Sequence, residues 1–226
     1  MKLYIGNKNY SSWSMRPWVL LTQADIPFDE VMVRFDAFTP DSAFKAALKN
    51  ISPTGKVPVL QDDDLLVWDT LAIAEYVAER FPECQLWPHD QADRARARSI
   101  CAEMHSGFGA LRSACPMNIE ASLPDTGALI WRDHAAVRDD VARLISLWRD
   151  CLHTSGGPLL FGNFSVADAY FAPICTRLIT YVLPLPEDIL AYVQRVLALP
   201  GIQAWTDAAS AEHDFLAFEE PYRLHR

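Results

Sequence analysis

The chain has 226 residues and a mass of 25.4 kDa, which suits one large or two small domains. Half of the residues are hydrophobic and 22% are charged, a balance that excludes extended disorder. The 20 lysines and arginines against 29 aspartates and glutamates give a net charge of −9. Long-range repulsion therefore disfavours nucleic acid and anionic membrane surfaces as partners.

The first residues, MKLYIGNKNY, lack the cationic and apolar regions of a signal peptide, and no stretch is long and apolar enough for a membrane span. We therefore expect a cytoplasmic protein. The five cysteines form no CxxC pair and have no histidine at zinc-finger spacing, so we expect reduced thiols and no metal site. They are Cys84, Cys101, Cys115, Cys151 and Cys175.

The N-terminal part of the chain alternates between strand-like and helix-like segments. Apolar periodicity predicts a βαβ unit first and a ββα unit second, joined by a short helix. The predicted segments are strand 2–6, helix 16–24, strand 28–35, helix 41–48, strand 57–61, strand 65–68 and helix 69–81. Residues 1–81 are thus predicted to form an α/β domain.

Beyond this domain the sequence reads as helical. Residues 82–91, PECQLWPHDQ, hold two prolines and little periodicity, which indicates a linker. Prolines punctuate the rest as helix starts or stops. Helices are predicted over 92–113, 127–153, 165–181, 186–198 and 201–211. Residues 92–226 are thus predicted to form an all-α bundle.

The loop after the first strand, NKNYSSWSMRP, brings serines to the start of the first helix. Unpaired N–H groups and the helix dipole favour an anion there. A hydroxyl of Ser11, Ser12 or Ser14 could stabilise a bound thiolate and so lower the pKa of its thiol. The alternative is that these serines only cap the helix.

Two further segments have the features of a peptide-binding site. In GKVPVL, Pro58 stands at a strand start, where a cis Val57–Pro58 bond is allowed and the backbone of Val57 could pair with an extended peptide. In WDTLAIAEYV, Asp69 could accept from an ammonium group, while Thr70 and the helix N–H groups take a carboxylate. An ordinary edge proline and an ordinary helix cap are the alternatives.

These three motifs occur in this order ahead of a helical region, and with them the whole chain resembles the glutathione transferase family. SSWSMR at 11–16 is similar to the serine motif of the zeta class, GKVPVL at 55–60 to the cis-proline segment, and DT at 69–70 to the acidic-hydroxyl pair. FSVADAYFAP at 164–173 is similar to a helix-start motif of the second domain. There Ser165 and Asp168 form a capping box, a structural role.

The resemblance implies a thioredoxin-like domain followed by a helical bundle, with glutathione as co-substrate. Ser11 matches the serine that activates the glutathione thiol, and Ser12 is the next candidate. Val57 and Pro58 would hold the cysteinyl unit, whereas Asp69 and Thr70 would hold the γ-glutamyl end. Lys56 would face the glycyl carboxylate.

The electrophile site is the least defined part of this expectation. By analogy it lies between the loop at 8–10 and the first long helix of the bundle, and the expected lining residues are Trp13, Met104, His105, Phe108 and Arg112. Trp13 stands where the zeta motif commonly has cysteine, which puts maleylacetoacetate isomerase activity in doubt. The absence of cysteine from residues 1–83 removes the nucleophile for disulfide exchange.

The sequence thus predicts a glutathione transferase of the zeta-like bacterial type acting on a small electrophile. The alternatives are a glutathione-dependent cis-trans isomerase and a non-catalytic carrier or assembly module on the same fold. The resemblance also implies a homodimer. The expected contacts of the dimer are ion pairs between two helices across the interface. One helix carries Arg94, Arg96 and Arg98, and the other carries Glu75 and Glu79.

Overall fold

In the computed structural model, which describes residues 1–226, the N-terminal part forms a four-stranded mixed sheet with three helices. The strand order is β2-β1-β3-β4; β1 and β2 are parallel, and the other two pairings are antiparallel. The elements are β1 (Lys2–Ile5), α1 (Ser12–Gln23), β2 (Asp29–Met32), α2 (Ala43–Leu48), β3 (Val59–Asp62), β4 (Leu65–Trp68) and α3 (Thr70–Arg80). The predicted thioredoxin-like arrangement is confirmed.

A short 3-10 helix (Pro82–Cys84) leads into a second, all-helical part. Its helices are α4 (Gln91–Ser106), α5 (Gly109–Ala114), α6 (Pro124–Asp133), α7 (Ala135–Ser155), α8 (Val166–Thr180), α9 (Glu187–Leu197) and α10 (Pro200–Glu212). The predicted α/β plus all-α fold class is therefore confirmed. None of these helices combines the length and apolarity needed to cross a bilayer.

Helix α1 lies between the sheet and the helical part, and this position decides where the serine loop points. Its residues from Ser14 to Leu21 are all buried, because α1 packs against α3 on one side and against α8 and α10 on another. The same apolar core includes Leu3 and Ile5 of β1. The start of α1 is therefore held at the junction of the two parts.

The structure corrects the boundaries of several predicted helices. The segment predicted as one helix over 92–113 is two helices, because Phe108 has a left-handed backbone with φ 55. A side chain at Gly107 would also lie only 2.7 Å from the carbonyl oxygen of Glu103. Likewise, extended backbone at His134 divides the helix predicted over 127–153. Helix α1 starts at Ser12, four residues before its predicted start.

The charge pair expected between subunits lies within one chain. Arg98 on α4 forms a two-pronged ion pair with Glu75 on α3, with N–O distances of 2.7 and 3.0 Å. Arg94 donates to backbone carbonyls before its own helix, and Arg96 is 3.6 Å from Asp150. These arginines are engaged inside the protomer and give no support to a dimer contact.

The capping box predicted at the start of α8 is confirmed. Ser165 accepts from the backbone of Ala167, and Asp168 accepts from the backbone N–H groups of Ser165 and Leu160. The hydroxyl of Tyr192 also donates to Asp168 at 3.2 Å. Asp168 is fully buried, and this burial raises its pKa to about 6. The carboxylate joins α8 to α9 and stays a structural element.

Candidate active site

Two adjoining clefts open between the sheet and the helical part. The first has a volume of about 310 Å³ and is lined by the segment before β3, the start of α3 and His105 of α4. The second, of about 620 Å³, is lined by the serine loop, several aromatic rings and residues of the helical part. Trp13, Lys56 and Val57 line both clefts. A ligand held in the first cleft would thus extend to the edge of the second.

The first cleft offers unpaired backbone groups at Val57. The Val57–Pro58 bond is cis, as the sequence allowed. Neither the N–H nor the C=O of Val57 has a hydrogen-bond partner within the chain. The preceding residue is fixed, because the side chain of Ser52 bonds to both the N–H and the C=O of Lys56. Val57 therefore presents a donor and an acceptor to an extended peptide.

Asp69 and Thr70 also line this cleft, at the start of α3. Asp69 has a left-handed backbone with φ 74, and its Oδ1 caps the helix by accepting from Leu71 N–H at 2.9 Å. Thr70 is buried, and its hydroxyl lies 2.7 Å from the hydroxyl of Tyr170. The Thr70 hydroxyl is thus occupied, whereas its backbone N–H has no partner and stays available for a carboxylate.

His105 lies in this first cleft and not in the electrophile site expected from the sequence. Its Nε2 is 3.3 Å from Oδ2 of Asp69, and its ring packs edge-on against Trp13 with centroids 4.9 Å apart. Its Nδ1 is buried without a partner. The histidine therefore lies beside the Asp69 oxygen that does not cap the helix.

The serine pair lines the second cleft. Ser11 is the residue before α1, yet its side chain makes no capping bond. Its hydroxyl instead donates to Ser14 Oγ at 2.7 Å, and Ser14 Oγ also accepts from the Gly6 N–H. The Ser11 proton is therefore used by Ser14 Oγ in this structure, so donation to a ligand requires the Ser11 hydroxyl to rotate. Sequence reasoning had not given Ser14 this supporting position.

Ser12 has a different partner. Its Oγ accepts from Nη2 of Arg177 at 3.3 Å, which leaves the Ser12 proton free. A third hydroxyl, that of Tyr10, belongs to the same cleft, but it donates to buried Glu220 at 2.7 Å. Burial and Glu220 raise the pKa of Tyr10 to about 12. The serines are therefore better placed than Tyr10 to donate to an anion.

Three arginines surround Trp13 and Ser12 without a carboxylate partner. Arg16 and Arg112 lie 4.2 and 5.0 Å from the centre of the Trp13 ring. Arg16 and Arg177 are almost fully buried, and burial lowers their pKa values to about 10 and about 9. None of the three arginines forms a salt bridge, and two nitrogens of Arg16 are buried without a partner. All three stay charged at neutral pH and favour an anion nearby.

The expected electrophile residues divide into two groups. Trp13 and Arg112 line the second cleft, whereas Met104 and Phe108 line neither cleft. Met104 and Phe108 are 1% and 5% exposed and belong to the apolar core. Trp13 lies on α1 and Arg112 on α5 after the break at Phe108, whereas Met104 lies on the buried face of α4, before the break. The sequence pattern gave no sign of the break.

Long-range packing supplies lining residues that the sequence could not indicate. Phe35, Phe38 and Phe44 form an aromatic wall of the second cleft. Arg177 of α8 and Glu219 near the C-terminus face the same space. Burial raises the pKa of Glu219. The four cations that line this cleft, Lys45, Lys56, Arg112 and Arg177, outnumber Glu219, its one acid. The cleft is therefore suited to a partly apolar molecule that carries negative charge.

Comparison with known proteins agrees with this geometry. The family model described as "Glutathione S-transferase, N-terminal domain" matches residues 10–80, and that described as "Glutathione S-transferase, C-terminal domain" matches residues 126–208. The chain is 29% identical over 175 residues to glutathione S-transferase 1 of Dianthus caryophyllus, covering 76% of this chain and 75% of that protein.

Other relatives carry isomerase names, and the solved structures share the fold. A probable maleylacetoacetate isomerase of Caenorhabditis elegans is 32% identical over 111 residues, 49% of each chain. A glutathione transferase homologue from Burkholderia, solved with bound glutathione, is 25% identical, with a TM-score of 0.69 over 93% of this chain and 98% of that one. Together with both domain matches, these likenesses show that the chain belongs to the glutathione S-transferase family.

Proposed function

We propose that the protein is a glutathione transferase that binds glutathione in the first cleft and presents its thiolate to an electrophile in the second. The observation that carries the proposal is the arrangement of the first cleft. The free backbone groups of Val57, the carboxylate of Asp69 and the ammonium of Lys56 suit the peptide, amino and glycyl ends of one extended tripeptide. The glutathione-bound relative of the same fold supports this.

The thiol would be activated at the start of α1. Ser11 would donate to the sulfur once its hydroxyl rotates from Ser14 Oγ, to which it donates in this structure, toward the bound thiolate. The positive end of the helix dipole adds to this stabilisation of the thiolate. Ser12, which accepts from Arg177, would stand between the sulfur and the electrophile. Lowering the thiol pKa and orienting the two reactants are then the sources of rate enhancement.

The electrophile would carry a carboxylate or another anionic group. Arg112 and Arg177 line the second cleft without an acidic partner, and a charged hydrogen bond to a substrate anion would offset the cost of their burial. The aromatic wall formed by Phe35, Phe38 and Phe44 would contact the apolar part. The substrate class is thus an acidic molecule with an electrophilic carbon or a conjugated bond.

A glutathione-dependent cis-trans isomerase is the second candidate. The unpaired arginines would suit an unsaturated acid, and two relatives named as maleylacetoacetate isomerases, from Caenorhabditis elegans and Pseudomonas aeruginosa, support this option. Isomerisation needs addition of the thiolate followed by its release, so the same site would serve both reactions. Trp13, which lines both clefts, replaces the cysteine common in the zeta motif and weighs against this option.

One assay separates these functions. Purified protein is incubated with glutathione and paired electrophiles, an unsaturated carboxylic acid and its uncharged amide. A transferase forms a conjugate, an isomerase changes the substrate with glutathione unconsumed, and a non-catalytic module does neither. We expect conjugation with a preference for the acid. Arg112→Met should reduce that preference about tenfold, the scale of a lost charged hydrogen bond, while Arg149→Met, outside both clefts, should not.

We also propose a homodimer in the cytoplasm, as expected from the family resemblance. The support is the likeness to the family, since the charge pairs expected at the interface are satisfied within the protomer. Light scattering at micromolar concentration tests the dimer: we expect about twice the chain mass of 25.4 kDa. A mass near that of one chain would contradict it.

A further inference from the structure

The chain beyond α10, residues 213–226, has no helix or strand, yet it contacts the serine loop. Phe218 stacks edge-on against Phe38 at 5.3 Å, and Glu219 lines the second cleft. The backbone carbonyl of Asp214 lies 3.1 Å from the hydroxyl of Tyr10. This C-terminal segment therefore forms part of the wall that faces the electrophile.

Glu220 is the centre of these contacts. It is 4% exposed, and one of its oxygens accepts from Tyr10 at 2.7 Å while the other accepts from Asn118 at 2.7 Å. Arg223, three residues on, pairs with both oxygens at 2.6 and 2.8 Å. A buried carboxylate whose oxygens are all hydrogen-bonded fixes the positions of its donors. Glu220 therefore fixes the side chains of Tyr10, Asn118 and Arg223.

The other residues of the loop before the serines are held by the same end of the chain. Glu212, the last residue of α10, accepts from the backbone N–H groups of Lys8 and Asn9. The side chain of Asn7 donates to Asp214 at 2.6 Å. Each residue from Asn7 to Tyr10 is thus tied, by backbone or side chain, to residues 212–220.

Tyr10 transmits this anchoring to the serines. It directly precedes Ser11, and its carbonyl accepts from the Ser12 N–H at 2.9 Å. Asn7 accepts from the backbone of both Tyr10 and Ser11. A hydroxyl stabilises a thiolate only at hydrogen-bond distance, and a displacement of about 1 Å removes most of that effect. The bond between Tyr10 and Glu220 is thus one of the contacts that hold the residue next to the serine pair.

We propose that Glu220 is a positioning residue for thiol activation, acting through Tyr10 to hold the serine pair against the bound glutathione. The C-terminal segment then belongs to the active site although it donates nothing to the sulfur. This inference rests on the proposed function and deepens it. It also assigns a task to the tyrosine hydroxyl in the cleft, which points away from the ligand toward Glu220.

The test compares two identical chemical changes, Tyr10→Phe and Tyr222→Phe. Tyr222 lies in the same segment, but its hydroxyl donates to the Ala114 carbonyl, away from the serine loop. The pKa of bound glutathione is measured from thiolate absorbance, and affinity from calorimetry. Tyr10→Phe should raise the thiol pKa by roughly half a unit or more, with affinity within about threefold. Tyr222→Phe should match the unmodified protein.

Glu220→Leu, which removes the acceptor of the Tyr10 hydroxyl, and the double variant complete the cycle. If Glu220 acts through Tyr10, the double variant should raise the thiol pKa no more than the larger single change does. An effect of Tyr10→Phe without any effect of Glu220→Leu would show that Tyr10 acts without Glu220, which overturns the proposal. A normal thiol pKa in Tyr10→Phe also overturns it. An unshifted thiol pKa in the unmodified protein would instead refute the proposed function, and the positioning role with it.

Discussion

Helices α1 and α8 begin in similar sequences but differ in what their first residues bind. At α8, Ser165 and Asp168 close a buried capping box in which every nearby donor is satisfied. At α1, Ser11 makes no capping bond and lies at the edge of a cleft. We call a helix start closed when a side chain caps its N–H groups, and open when no side chain does. A closed start stabilises the fold, whereas an open start keeps polar groups available for a ligand.

The start of α3 is intermediate between these two. One oxygen of Asp69 caps the helix through Leu71 N–H, and the other points toward His105 at the cleft. A single carboxylate thus contributes to the helix and to the site together. The three helix starts predict three different responses to substitution.

The largest effect is expected where the cap is closed. Asp168→Ala should lower the free energy of unfolding by about 3–5 kcal/mol, because it leaves buried donors of Leu160, Ser165 and Tyr192 without an acceptor. Denaturant titration measures this. Asp90→Ala, which removes an exposed cap of α4, is the control and should cost much less. Equal losses would contradict the account of the closed cap.

The unmodified protein and Asp168→Ala should also differ in how their stability depends on pH. The pKa of Asp168 is raised to about 6 in the folded state, so its proton is held more tightly there than in the unfolded chain. The stability that Asp168 contributes is then fully present below its unfolded pKa and is lost as the pH rises through about 6. The stability gap between the unmodified protein and Asp168→Ala should be wider at pH 5 than at pH 8. A difference in unfolding free energy that grows as the pH rises would contradict a raised pKa of Asp168 in the folded state.

The intermediate helix start should lose binding more than stability. Asp69→Ala should weaken glutathione binding by about 1.5–3 kcal/mol, the scale of a charged hydrogen bond. The missing helix cap should lower the free energy of unfolding by a smaller amount. Calorimetry measures the affinity. Asp64→Ala, in the exposed turn before β4, is the matched control and should bind normally. An unchanged affinity for Asp69→Ala would remove Asp69 from the site.

Most of the fold could be predicted from the sequence because its signals are local. The alternation of β1 and the periodicity of α3 depend on neighbouring residues, and the structure confirmed both. The capping box at Ser165 and Asp168 was also readable, since its two residues lie three apart. The break at Phe108 was not, because a left-handed residue between two helical segments leaves no mark on the apolar periodicity.

The site was predictable only where one segment contains it. The segments around Ser11, Val57 and Asp69 carry recognisable patterns, and all three lie at the clefts. Arg177 and Glu220 were missed because they are brought in by packing from more than 150 residues away. Met104 was expected in the site but lies in the apolar core. The sequence could not show this, because tertiary contacts decide which face of a helix meets the core.

The open helix start should show a small effect on stability and a selective effect on chemistry. Ser11→Ala should raise the pKa of bound glutathione by roughly one unit and slow turnover at neutral pH. Its unfolding free energy should fall by no more than about 1 kcal/mol, since only the bond to Ser14 is lost. Ser12→Ala should do less. A larger effect of Ser12→Ala on the thiol pKa would transfer the activating role to Ser12.

The central claim, that the open start of α1 binds glutathione as a thiolate, is tested most directly by titrating bound glutathione against pH in the unmodified protein. Thiolate absorbance of the complex is compared with that of free glutathione under the same conditions. We predict a pKa at least about one unit lower in the complex, because the serine hydroxyl and the helix N-terminus both favour the charged sulfur. Saturating binding with an unshifted thiol pKa would contradict the claim.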